Sequence, residues 1–345
     1  MAEEKINMDD KTRNIVLVIA VVLIIGVIIF LKNPFENKQP ILPQVDQNNT
    51  LQNQQPSPYP IAPEIIGIAH WINSEPLTLA ELRGKVVLVD FWTYSCINCI
   101  RTLPYLKDWH EKYKDLGFVL IGVHSPEFEF EKEIANVEQE VNEKGLSYPI
   151  AMDNEMQTWG NYNNRFWPAK YLIDIDGRIR YTHFGEGAYQ ETEQLIQELL
   201  EEKNQAEIDI ELNQTLPPEN KAGFFRTREL YAGYTFGEYL GNTQAYQSEQ
   251  TTQFTDEPEH IDGKIYLQGE WFTSAEFVRH ARQTQNNEDY IAIKYLATEV
   301  NIVAGAAEEP YKIFVTLDGQ NVPDSFMGND VQKDEQGNTY IEVTS

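Results

Sequence analysis

Cysteine is almost missing from this chain: two occur in 345 residues, Cys96 and Cys99. Two thiols cannot build the multi-bridge framework that staples small secreted domains, so the cores must come from apolar packing. Cationic side chains are also few. Lys and Arg number 27 against 54 Asp and Glu, a formal net charge of −27. A surface this acidic repels phosphate backbones and excludes nucleic acid as a partner; its plain physical role is solubility. Histidine is sparse, and the six (His70, His110, His124, His183, His260, His280) show no ligand spacing. Neither a metal nor another cofactor is expected. No internal repeat is visible.

What remains supports globular cores: 41% of the residues are hydrophobic and 23% charged. The length exceeds what one core usually serves, so two domains are expected. One uninterrupted apolar run exists, IVLVIAVVLIIGVIIFL at 15–31. As a helix it spans roughly 25 Å, with Lys32 able to snorkel at its end. It has no polar stripe, no small-x-small cleavage site after it and no cysteine for lipid attachment. It reads as an uncleaved transmembrane anchor. Lys5, Lys11 and Arg13 precede it, and Lys32 and Lys38 follow. The N-terminus is expected in the cytoplasm and the bulk of the chain outside it, in a periplasm or at the cell surface.

The pattern then divides the chain. Residues 1–31 are tail and anchor, and 32–62, rich in Pro, Gln and Asn, are a flexible linker. Over 63–203, PLTLAELRGK reads as a short helix or turn. VVLVDFW (86–92) and FVLIGV (118–123) read as buried parallel strands, and 128–144 as a surface helix. AKYLIDIDGRIRYTHFG (169–185) reads as strand, Asp-Gly turn and strand, and 189–203 as a closing helix. This is an α/β sheet domain. A second linker is expected at 204–222. Over 223–345 the period changes to two, as in YKIFVTLDG (311–319), and 289–305 reads as two strands or one long bent strand. An antiparallel β-sandwich is expected there. Tyr266, Trp271, Tyr290 and Tyr295 are expected mainly in its core, although aromatic faces also bind sugars.

Both cysteines fall in DFWTYSCINCIRTLP (90–104), after a strand and at the start of a helix. Free N–H groups and the helix dipole favour an anion there, so Cys96 is the expected nucleophile. Cys99, one turn on and on the same face, is the expected resolving thiol. An inert pair or half of a zinc ribbon is the alternative, but the ribbon's second half is missing. Asp90 lies inside an apolar run, where an unpaired carboxylate would have a raised pKa suited to proton transfer. His124 and Glu127, at the end of FVLIGV where neighbouring strand ends converge, are candidates to tune the cysteine pair, but read first as capping or surface residues.

The cysteine stretch resembles thioredoxin. By that resemblance, Asp90 is the buried carboxylate that exchanges a proton with the resolving thiol, and Pro104 the proline that kinks the helix. Trp167-Pro168 is the cis-proline loop that pairs with the substrate backbone. The phrases NSEPLTLAELRGKVVLVDFW, SCINCIRTLPYL and GVHSPEFEFEKE are similar to the secreted thioredoxin-like domains of the TlpA and DipZ type. Those insert an extra strand and helix before the cis-proline, and 124–165 is long enough for both. TRELYAG (227–233), LQGEW (267–271), VTLDG (315–319) and GNDV (328–331) resemble the DipZ-type second domain, a sandwich like a jelly-roll carbohydrate-binding module. The chain departs from the family in its Ile97-Asn98 spacer and in stopping at YIEVTS, at least one strand short, so that it is either truncated or leaves its last sheet with an open edge.

The resemblance implies a thioredoxin-like fold with a β-sandwich and one N-terminal span. It implies an extracytoplasmic thiol–disulfide oxidoreductase, a reductant of disulfide-containing proteins. With one span in place of DipZ's multi-helix electron carrier, it would be re-reduced by a separate membrane electron transporter. A carbohydrate is a candidate ligand of the sandwich. Two alternatives stand beside this reading. Thr93-Tyr94-Ser95-Cys96 fits the T-x-x-C of peroxiredoxins, with Arg165 as the spare guanidinium, although Val89 occupies the place of their proline. The other is a sugar- or protein-binding module with a vestigial redox domain.

Overall fold

The structure, a computed structural model, describes residues 57–212 and 226–344, apart from 237, 238, 245, 285, 286, 306 and 308. The expected anchor and most of the first linker lie outside the described residues. No described helix is long and apolar enough to cross a membrane.

Six strands form the first sheet: β1 (His70–Ile72), β2 (Val86–Trp92), β3 (Phe118–His124), β4 (Ile150–Met152), β5 (Ala169–Ile173) and β6 (Ile179–Phe184). Their order is β1-β4-β3-β2-β5-β6. Strands β2, β3 and β4 run parallel, while β1, β5 and β6 pair antiparallel with their neighbours. Among the described residues four helices accompany them: α1 (Ile97–Tyr113), α2 (Ile134–Glu143), α3 (Gln157–Asn161) and α4 (Tyr189–Asn204). The strand and helices inserted between β3 and the Pro168 loop are thus α2, β4 and α3.

VVLVDFW is central because it has no polar face to show to water, and every one of its residues is buried. Alternate side chains enter two cores. Val86, Leu88 and Trp92 join α1 and α4 residues such as Leu106, Trp109, Ile196 and Leu200. Val87, Val89 and Phe91 join Leu79, Tyr162 and Tyr171 on the other face. Each such side chain contributes roughly 1.5–3 kcal/mol of burial free energy. Helix α1 turns Cys99, Leu103, Leu106, Trp109 and Tyr113 inward at helical spacing, and its one proline, Pro104, faces solvent. Gly122 in β3 leaves room for the layer beneath the cysteines. A Cβ there would lie 2.8 Å from Ile150 Cδ1 and 3.0 Å from Trp92 Nε1.

Several sequence expectations change in the structure. The surface helix expected over 128–144 is broken. A 3-10 turn spans Glu129–Lys132, Glu133 is extended, and α2 begins only at Ile134. Glu131 is buried at that turn. The first linker's end is folded: Ile61 bridges Arg178, and the Ala62 N–H donates to Gly177 O at 2.9 Å. The second linker's start is also held, because Ile208 and Ile210 pack against the α1/α4 core.

The C-terminal region is β-rich. Strands β7 (Gln250–Phe254), β8 (Ile265–Thr273), β9 (Val278–His280) and β10 (Tyr290–Ile293) form one sheet around β8, which pairs with all the others. β11 (Tyr311–Phe314), β14 (Val331–Lys333) and β15 (Thr339–Val343) form another, and β12 (Thr316–Leu317) and β13 (Gln320–Asn321) a hairpin. Phe254, Ile265, Leu267 and Trp271 make the core of the β7–β10 sheet, with Leu230, Tyr239 and Leu240 packed on it. Among the described residues, no member of that cluster comes from β11–β15. The run 289–305 supplies only β10; Leu296, Val300, Ile302 and Val303 beyond it are exposed and lie in no strand. Of the four aromatics read as core, Tyr266 and Trp271 are buried, while Tyr290 and Tyr295 are exposed.

Candidate active site

The cysteines sit where β2 hands over to α1. Cys96 is the N-cap, extended at φ −74° and ψ 112°, and its carbonyl accepts the helix's first bond from Ile100 N–H at 3.0 Å. Both cysteines are free thiols; Cys96 is half-buried and Cys99 fully buried. Burial pushes the Cys99 thiol well up, adjacent Cys96 adds to this, and the Thr93 backbone N–H opposes it.

Asp90 occupies the β2 register opposite Gly122 on one side and Lys170 on the other. By strand alternation it shares the face of Leu88 and Trp92, beneath α1. Burial raises its carboxyl to about 7, and the Lys170 ammonium pulls the other way. The carboxylate is not unpaired, as the sequence suggested: Lys170 Nζ lies 3.8 Å from its Oδ1, with both side chains shut away from solvent. Burial in turn lowers the Lys170 pKa. Asp90 Oδ1, Lys170 Nζ and the Tyr148 hydroxyl have no hydrogen-bond partner among the described residues. Asp90 and Cys99 both help to raise the Tyr148 pKa, after burial itself. The pocket thus holds a carboxyl that titrates near neutrality beside a thiol that resists ionisation, a pairing suited to proton exchange.

The Trp167-Pro168 bond is cis. Pro168 precedes Ala169, which pairs with Phe91, so the loop lies at the cysteine end of the sheet. The Trp167 indole donates to Ser125 O at 2.9 Å, and Ser125 N–H donates to Trp92 O at 3.0 Å. The Trp159 ring packs on Trp167 at 4.2 Å. The structure therefore brings Cys96, Cys99, Asp90, Trp167 and Pro168 to one end of one sheet.

His124 and Glu127 are not the capping or surface residues expected. His124 is fully buried behind the cysteine turn, with Nε2 3.3 Å from Thr93 Oγ1. Burial lowers its pKa to about 3, so the imidazole stays neutral. Tyr94 stacks on it at 5.6 Å. Glu127 accepts a 2.5 Å hydrogen bond from the Tyr231 hydroxyl, and burial, then Glu229 and Glu131, push its carboxyl up to about 7. Arg165 is exposed. Arg101 lies on α1 just after the cysteines, donates to Asn98 Oδ1 at 3.4 Å and is tied to Glu186 at 3.8 Å and Glu299 at 2.7 Å.

Sequence reasoning missed Lys170 and Glu131. Lys170 sits in an apolar strand and could have been found by asking which residue faces Asp90 across the sheet. Glu131 gave no signal, because it lies in the acidic run EFEFEKE. It is fully buried and accepts four hydrogen bonds: Ser95 Oγ at 2.6 Å, Ser95 N at 3.4 Å, Glu127 N at 2.6 Å and Phe128 N at 3.0 Å. Glu131→Ala strands those donors and is expected to cost about 3 kcal/mol of stability. Urea unfolding measures the loss; a change below about 0.5 kcal/mol would show the clamp to be dispensable.

Known proteins carry similar sequences. Residues 68–182 match the AhpC/TSA family, and residues 227–343 match the thioredoxin like C-terminal domain family. Protein DipZ of Mycobacterium bovis is 41% identical over 250 residues, 71% of this chain and 35% of DipZ. The chain spans about a third of that relative's length. The thiol-disulfide oxidoreductase ResA of Bacillus thuringiensis is 31% identical over 122 residues, 35% of this chain and 68% of ResA. The thiol-disulfide oxidoreductase YkuV of Bacillus subtilis is 28% identical over 141 residues, 41% of this chain and 94% of YkuV.

Proposed function

We propose, on the premise that this chain belongs to the thioredoxin-like thiol–disulfide oxidoreductases, that its Cys96–Cys99 pair reduces disulfides in protein substrates outside the cytoplasm. One observation carries the reading: a half-exposed thiol caps α1, and a buried second thiol lies one turn on, beside a buried carboxyl that titrates near pH 7.

The Cys96 thiolate attacks one sulfur of the substrate disulfide. The S–S bond breaks, the other substrate sulfur leaves as a thiolate, and a mixed disulfide forms. Cys99 gives its proton to Asp90 and attacks Cys96 Sγ. The substrate departs with its second thiolate, and a Cys96–Cys99 disulfide remains. Two electrons have passed from the dithiol to the substrate. Pro168 and Trp167 supply the wall on which the substrate backbone docks. Electrons return from a second thiol donor, which we assign to a membrane electron transporter because the apolar run at 15–31 would hold the chain at a bilayer. Exposed Tyr290 and Tyr295 support a carbohydrate ligand for the C-terminal region, read as a carbohydrate-binding-module-like sandwich.

Equilibration with glutathione tests the direction. A potential near or below about −270 mV, where thioredoxin lies, supports a reductant. A value near about −120 mV, as for DsbA, makes the protein a disulfide donor instead.

The AhpC/TSA match favours a second reading, peroxide reduction at Cys96. Against it, the Thr93 hydroxyl is turned to His124, and Arg165 is exposed. Peroxide consumption in the same preparation separates the two.

A further inference from the structure

The segment 125–131 is gripped from two directions. On the catalytic side, Ser125 O accepts from the Trp167 indole, and Glu131 accepts from Ser95 N–H and Oγ–H, immediately before Cys96. The Tyr94 hydroxyl donates to Phe130 O at 3.4 Å, and the two rings pack at 6.1 Å. Both walls of the candidate site, the cysteine turn and the Pro168 loop, therefore hang on one short segment. That segment has little regular structure of its own: its 3-10 turn covers only Glu129–Lys132.

On the other side the holders come from the C-terminal region. The Tyr231 hydroxyl donates to Glu127 Oε1 at 2.5 Å. The Phe128 ring packs on Phe236 at 5.7 Å and on Tyr231 at 6.4 Å, and Tyr231 stacks on Phe236 at 4.7 Å. Glu276 accepts from the Glu129 backbone N–H at 3.0 Å. Glu127 is also tied inward, its own N–H donating to Glu131 Oε2 at 2.6 Å. An unbroken chain of contacts thus runs from Tyr231 through Glu127 and Glu131 to Ser95 and Cys96.

We propose that Tyr231 is a positioning residue for the Cys96–Cys99 exchange, acting from the C-terminal region through Glu127 and the 125–131 segment. The C-terminal region is then part of the redox machinery and not only an appended binding module. The inference rests on the reading of Cys96 and Cys99 as a redox pair. It gives Tyr231 no contact with substrate. Its hydroxyl fixes where Glu127 sits, and so how Glu131 presents the turn that carries the nucleophile. A short hydrogen bond to a half-buried carboxyl is worth enough to alter such a geometry when it is lost.

The test is a double-mutant cycle on the full-length protein in detergent. Tyr231→Phe removes the hydroxyl and keeps the ring packed on Phe128 and Phe236. Glu127→Ala removes the acceptor, and Tyr234→Phe, a hydroxyl bonded to exposed Glu249, is the control. Two quantities are read: the rate of Cys96 alkylation by iodoacetamide, and the equilibrium constant of the pair with glutathione. Thermal melting confirms that each variant is folded. Tyr231→Phe and Glu127→Ala are each expected to slow alkylation about three- to tenfold and to shift the glutathione equilibrium in the same sense. The double variant is expected to match either single, because both break one link. The control is expected within twofold of wild type. Singles within twofold of wild type, or effects that multiply in the double, would overturn the proposal. A general loss of fold would lower the melting temperature without this pattern of non-additivity. The alkylation cycle is decided whether or not the wild type reduces insulin, so losing the reductase reading and losing the positioning role are separate results.

Discussion

Cys96→Ser is expected to abolish insulin disulfide reduction, by at least about 10³-fold, since a serine hydroxyl is not ionised near neutral pH and cannot replace an attacking thiolate. Cys99→Ser is expected to fail differently. Cys96 still attacks, but nothing resolves the product, so a covalent enzyme–substrate species accumulates. Non-reducing electrophoresis after an acid quench reads both outcomes. The asymmetry follows from burial: Cys99 is 1% exposed and Cys96 is half-buried, so only one sulfur is open to a bulky disulfide. Equal accumulation of mixed disulfide by the two single variants would mean that both sulfurs are open, and would sink the assignment of nucleophile and resolving thiol.

Asp90→Asn is the second substitution with a large expected effect, and it acts on stability and turnover in opposite senses. In the folded protein burial raises the Asp90 carboxyl from its ordinary 3.8 to about 7. A group raised on folding favours the fold while it is protonated in both states, below about pH 4. That contribution falls away as pH rises and is gone above about pH 7. The rise from 3.8 to about 7 corresponds to about 4 kcal/mol lost across that window. The wild-type protein, in its disulfide form to silence the thiols, is expected to lose stability between pH 4 and 7.5. The asparagine amide has nothing to titrate, so the variant's profile is expected to be flatter there, with higher stability at pH 8 than wild type. Turnover moves the other way. Without a proton acceptor Cys99 resolves the mixed disulfide slowly, and a loss on the order of 100-fold is expected. Urea unfolding across pH, together with single-turnover release of substrate, measures both. A variant that follows the wild-type pH profile would show that Asp90 does not titrate in this range.

The fold was legible where a stretch of sequence serves one purpose. VVLVDFW is apolar at nearly every position because both faces are covered, and the strand ran over those seven residues. The Asp-Gly hairpin at 169–185 and the helix from Tyr189 were equally local. The cysteine turn was legible too, because strand, C-x-x-C and helix follow one another in the chain. What failed to show depended on partners distant in sequence. Glu131 lies 36 residues from the Ser95 it holds, and its neighbours read as a charged surface. Lys170 is a cation in an apolar strand, and only the β2–β5 register explains it. Tyr231 is one of 18 tyrosines in the sequence, and its bond to Glu127 spans 104 residues. In the C-terminal region the period of two told strand from helix but not which strands share a core. Residues 294–305 looked like strand by composition and lie exposed instead.

The enclosure of Cys99 has a consequence for traffic. With one sulfur sealed, the protein has a single port. In the proposed reaction the oxidised client and the reduced donor must both dock on the same face and bond to the same atom, so they take turns. Neither can wait on the enzyme while the other is served. In that cycle a large excess of client that also docks on the oxidised form would delay recharging, and throughput is then expected to pass through a maximum as client concentration rises. In the proposed cycle the supply of electrons and the demand for them meet at one atom, and the balance between them would set the pace.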